Sequence, residues 1–72
     1  MKKSIDNLQD FVRKGGNVSI SSTELNEQEI IEIANIAKNS NAKLFIKKAD
    51  NLSYDTLLIL CNVLENKVTL DF

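Results

Sequence analysis

Residues 17–51 read NVSISSTELNEQEIIEIANIAKNSNAKLFIKKADN, and this stretch decides the fold. Over residues 17–21, Val18 and Ile20 face one way while Ser19 and Ser21 face the other. That period of two marks a strand buried on one side only. After a turn at 22–25, Asn26 stands as an N-cap with Glu29 three residues on, and Leu25 and Ile30 occupy the two staple positions. The apolar residues then change to helical spacing. Ile30, Ile33, Ala34 and Ala37 make an inward stripe, flanked by Ile31 and Ile36. Glu24, Glu27, Glu29 and Glu32 gather towards the start of this helix and Lys38 near its end. The helix dipole favours that order, so the acidic cluster reads as a solvated face rather than a metal site or a dock for a basic partner. Asn39, Ser40 and Asn41 end the helix. Residues 42–48 alternate again, with Leu44 and Ile46 inward and Lys43, Phe45 and Lys47 outward, before the turn Ala49-Asp50-Asn51.

Half-copies of this unit lie on both sides. Residues 4–14 predict a helix capped by Ser4, with Ile5, Leu8, Phe11 and Val12 on one face. Gly15-Gly16 closes it, since glycine adopts the left-handed conformation a helix end requires. A phosphate-cradling glycine loop needs a strand before it and a helix straight after, which is the opposite order. Downstream, Leu52 and Leu57 staple a helix capped by Ser53. Its expected core stripe is Leu57, Leu60, Cys61 and Leu64, with Leu58 and Val63 on the flanks. Ile59 falls among Asp55, Asn62 and Asn66 on the wet side. Residues 67–72 alternate once more, Val68, Leu70 and Phe72 inward, Thr69 and Asp71 outward.

Three helix–strand units are therefore present, with Val18, Leu44 and Val68 equivalent at separations of 26 and 24 residues. Ten residues before each strand position stand Leu8, Ala34 and Leu58; seven before stand Phe11, Ala37 and Cys61. A period of this length marks units that bury their apolar faces by stacking on neighbours. Parallel strands need crossovers, and crossovers within one sheet are almost always right-handed, which puts the helices on one side. The expected fold is one α/β repeat domain over residues 1–72. It has two layers: a three-stranded parallel sheet in the order 1-2-3, helices on one face and the other face open. Alternation in the strands agrees, because parallel sheets covered on both faces have continuous apolar strands.

Composition narrows function mainly by exclusion. The 72 residues contain one cysteine, no histidine and no tryptophan. An internal disulfide cannot form, and zinc lacks its usual ligands, so no metal or cofactor is expected. Cys61, within an apolar run, reads as a small core residue in a reducing, cytoplasmic setting. The formal charge of −1 exerts no overall pull on nucleic acid or anionic lipid. No apolar run is long enough for a bilayer, and Met1-Lys2-Lys3 precedes an amphipathic pattern rather than a signal-peptide core. Without histidine, with its thiol placed in the core and its acids on an exposed helix, the chain is not expected to be an enzyme.

The segment Val18-Ser19-Ile20-Ser21-Ser22-Thr23-Glu24-Leu25 resembles the leucine-rich repeat, whose core is L-x-L-x-x-N-x-L, with Thr23 at the asparagine position. The second unit departs from that pattern: Ala49 takes the asparagine position and Leu52 arrives one residue late. The resemblance implies a short repeat module that binds protein on a concave sheet.

The open sheet face is then the candidate partner-binding surface, made of Ser19, Ser21, Lys43, Phe45, Lys47, Lys67, Thr69 and Asp71. Phe45, an aromatic amid polar neighbours, is either a binding anchor or a ring that only fits the pleat. A second surface, Ile59 with Leu58 or Val63, together with two open sheet edges, offers routes to a homodimer. Lys43, Lys47 and Lys67 around one ring also suit single-stranded nucleic acid. The net charge, the single aromatic and Asp71 weigh against that reading. Small, slightly acidic chains rich in Asn, Lys and Ile are also common in phages and mobile elements. The alternative function there is inhibition of a host defence protein, as by an anti-CRISPR.

Overall fold

The computed structural model describes residues 5–72. The expected cap Ser4, the Met1-Lys2-Lys3 segment and the Ile5 side chain lie outside the described part. In chain order the elements are α1 (Ile5–Arg13), β1 (Val18–Ser21), α2 (Glu27–Ser40), β2 (Leu44–Lys47) and a 3-10 turn (Ala49–Asn51). Then come α3 (Tyr54–Leu64), a second 3-10 turn (Glu65–Lys67) and β3 (Val68–Asp71).

The strands form a parallel sheet in the order β1-β2-β3. Val18 pairs with Leu44 and Leu44 with Val68, so the positions that align in sequence are also adjacent in the sheet. Three helices cover one face. Ile20, Leu44 and Ile46 are buried beneath them, with Val18, Val68 and Leu70 half-buried, while Ser19, Phe45 and Thr69 face solvent on the other side. Helix α2 lies in the middle of its layer and packs against both α1 and α3.

Local chemistry explains where the helices begin. Asn26 Oδ1 accepts the Glu29 N–H at 2.8 Å, and Glu29 Oε1 accepts the Asn26 N–H at 3.0 Å, a reciprocal capping box. Ser53 Oγ accepts the Thr56 N–H at the start of α3. Glu27 then joins the two helix starts: its Oε2 accepts the Ser53 N–H at 2.5 Å. That backbone hydrogen bond is the main reason its carboxyl is held below its ordinary value; hydrogen bonds from the Ser53 and Thr56 side chains act the same way, and burial opposes them. On the opposite side of α2, Ser40 Oγ donates to Val12 O at 2.6 Å and Gln9 Nε2 donates to Glu32 Oε2 at 3.4 Å, tying α2 to α1.

The core contains Val12, Ile20, Ile30, Ile33, Ala34, Ala37, Leu44, Ile46, Leu60 and Leu64. Each larger side chain buried here contributes about 1.5–3 kcal/mol through removal of apolar surface from water. Three expectations need correction. Cys61 is exposed, not in the core. The buried stripe of α3 instead takes in Thr56, which is bonded to Ser53. Phe11 is 55% exposed because Val12 occupies the core position and the Phe11 ring lies over Gly16. A Cβ at Gly16 would stand 2.3 Å from Phe11 Cε2, so the missing side chain is what makes that seat. Phe72 has inward parity but is exposed, one residue beyond the last paired residue of β3. Leu58, expected on a flank of α3 and in the second candidate surface, is exposed.

Candidate interaction surface

The parallel register turns the open face into rows. Ser19, Phe45 and Thr69 form one row, and Ser21, Lys47 and Asp71 form the next. One step before the paired strands come Asn17, Lys43 and Lys67, where Asn17 Oδ1 accepts the Lys43 N–H at 2.9 Å. Phe45 thus stands on the central strand between two short neighbours, Ser19 and Thr69. No tall side chain in its row covers it, and it remains 38% exposed. A shallow open depression of about 460 Å³ runs beside the ring, lined by Asn17, Val18, Ser19, Lys43, Leu44, Phe45 and Thr69.

Ser19, Ser21, Phe45, Lys47, Thr69 and Asp71 share this face by strand parity, Lys43 lines the depression beside Phe45, and Lys67 stands in the 3-10 turn that leads into β3. Ser19, Lys43, Phe45, Lys47, Thr69 and Asp71 are exposed; Ser21 and Lys67 are half-buried. The half-burial of Ser21 follows from its turn contacts, since its Oγ lies 2.8 Å from Thr23 Oγ1 and its carbonyl accepts the Glu24 N–H. Lysines outnumber acids here, Lys43, Lys47 and Lys67 against Asp71. The acids Glu27, Glu29 and Glu32 belong to the helix layer instead. The face is therefore basic on a molecule whose formal charge is −1.

The second candidate group is not one patch. Successive helical residues are 100° apart, so Leu58 stands well away from Ile59 and Val63. Counted from the caps Asn26 and Ser53, Ile59 and Val63 correspond to Glu32 and Ile36, on the side of α2 that meets α1. In α3 that side turns towards α2, and Val63 is half-buried against the core. Leu58 belongs with Tyr54 and Cys61 on the other side, all three exposed. Neither Tyr54 nor Cys61 was expected there. Their spacing of four and three residues to either side of Leu58 was the available sign.

Among the described residues, no three Cys, Asp or Glu side chains gather as a metal site, and no helix is long and apolar enough to cross a membrane. No protein-family model matches this chain, nor does any curated protein or solved structure.

Proposed function

We propose that the protein is a non-enzymatic protein-interaction module that engages its partner through the open sheet face. The observation that carries this reading is Phe45: an aromatic ring on the central strand, flanked by short side chains, beside an open depression. A ring so placed can be desolvated by a partner without moving anything in the core, and aromatic residues at the centre of a contact supply much of its energy. Lys43, Lys47 and Lys67 around it favour an acidic partner surface and set orientation on approach. The resemblance of residues 18–25 to a leucine-rich repeat points to the same use of the sheet. Inhibition of a host defence protein would be one instance of such binding.

The test is affinity capture from host lysate with the parent chain, Phe45→Ala and the helix-side control Ile59→Ser. A partner of this face is retained by the parent and the control and lost by Phe45→Ala, with a drop of about tenfold or more expected for an anchor worth over 1.4 kcal/mol. Equal recovery by Phe45→Ala would remove the proposal. The cluster of lysines favours a second reading, single-stranded nucleic acid stacked on Phe45. Titration at two salt concentrations separates the two, since phosphate binding weakens steeply with salt.

A further inference from the structure

We propose that this chain associates with copies of itself head to tail, the α3/β3 edge of one copy seated against the α1/β1 edge of the next. The evidence is how the units already pack inside one chain. Helix α2 meets α1 through its Glu32 and Ser40 side and meets α3 through its Glu27 side. Counting from the caps, the residues of α3 that match Glu27, Ile31 and Ala34 are Tyr54, Leu58 and Cys61. In α2 this side adjoins the next unit, with Ala34 fully buried and Ile31 half-buried. In α3 no described residue covers the same side: Tyr54 is 73% exposed, Leu58 44%, and Cys61 is exposed as well. An apolar stripe at spacings of four and three is thus present where the next helix–strand unit would lie.

The opposite edge of the molecule is formed to receive it. Asn7, Leu8, Phe11, Val18 and Ser19 line a recess of about 460 Å³ between α1 and β1, and Phe11 is 55% exposed at its rim. The two sheet edges match in phase. The N–H groups of Val18 and Ser22 bond to β2, so alternation directs the backbone groups of Ser19 away from the sheet. By the same alternation, Val68 and Leu70 direct theirs outward from β3. A second copy laid along β3 with its Val18 beside Val68 extends the register Val18–Leu44–Val68 by another step and keeps every core-facing residue on the helix side. One contact then covers both exposed apolar edges, whereas a two-fold contact through α3 leaves the Phe11 recess bare. The whole molecule spans 28 × 28 × 17 Å, which bounds one edge at its longest and shortest extents. This offers roughly 500 Å² to each partner, near the lower limit for a specific interface, so association is weak and depends on concentration.

Sedimentation equilibrium of the full chain across a wide concentration range tests this, with Leu58→Glu, Phe11→Glu and their equimolar mixture. The parent is expected to rise above its 8.1 kDa monomer mass as concentration increases. Each variant alone should remain monomeric, because each has lost one of the two edges. The mixture should regain a species of two chains and stop there, each variant supplying its intact edge. A parent that stays monomeric throughout would overturn the proposal. So would dimers that survive Phe11→Glu, vanish with Leu58→Glu and cross-link through Cys61, which define a two-fold α3 contact. Circular dichroism checks folding, and Leu58→Ser and Phe11→Ser replace any variant that has lost its helices.

Discussion

Helices α2 and α3 begin alike and are enclosed differently. Both follow a leucine, both are capped by a polar side chain, and both carry an apolar residue at the fourth helical position, Ile30 and Leu57. Yet Ala34 of α2 is fully buried while its counterpart Cys61 is exposed. The caps and the apolar period set where a helix starts and which side meets the sheet. Burial of its flanks depends on what lies beside it in the layer. Helix α2 has a neighbour on each side; among the described residues, α3 has one only on the α2 side.

The largest effect expected from this contrast comes from filling the same position in both helices. Ala34→Leu forces extra volume into a closed site and should cost about 1–3 kcal/mol, whereas Cys61→Leu should change stability by less than about 0.5 kcal/mol. Urea unfolding midpoints measure both, and equal losses would mean that the outer flank of α3 is also enclosed. The two starts come next. Asn26→Ala and Ser53→Ala should each lose about 1 kcal/mol, since each leaves a first-turn N–H without its acceptor.

The two ends differ as well, because Asn41 takes an ordinary left-handed conformation (φ 62°, ψ 27°) and Glu65 a rarer one (φ 55°, ψ −114°). Glu65→Gly should therefore stabilise the fold by about 1 kcal/mol, and Asn41→Gly should be nearly neutral. The smallest effect concerns the link between the helices. The Glu27 carboxyl is held below its ordinary value by the Ser53 N–H, so it favours the folded state above the unfolded carboxylate range and ceases to as pH falls through its folded value. Glu27→Gln should be less stable than the parent at neutral pH, with the gap closing in acid. A gap of constant size across the titration would show that charge at Glu27 is not responsible.

Strand register was fully legible in the chain, because Val18, Leu44 and Val68 repeat at nearly one period and a strand has only two faces to choose between. The caps were equally clear, being made by residues adjacent in sequence. The open sheet face followed from alternation alone. What local pattern could not convey was the rotation of the edge helices. Cysteine and phenylalanine at helical spacing look the same whether a neighbour covers them or not, so Cys61 and Phe11 read as core residues from the chain alone. Phe11 adds a second reason: its seat is a missing side chain at Gly16, four residues beyond its core-facing neighbour Val12.

The separation of Lys43, Lys47 and Lys67 on the sheet from Glu27, Glu29 and Glu32 in the helix layer has a consequence for kinetics. The helices are net acidic, with Asp6, Asp10, Glu27, Glu29, Glu32 and Asp55 against Arg13 and Lys38, so a nearly neutral molecule carries a dipole across its thickness. In the field of an acidic partner it turns its sheet forward before contact, so more encounters begin in the productive orientation. Added salt then slows arrival through the screening of that torque. In the proposed contact, residence time would be set separately, by how well Phe45 is covered.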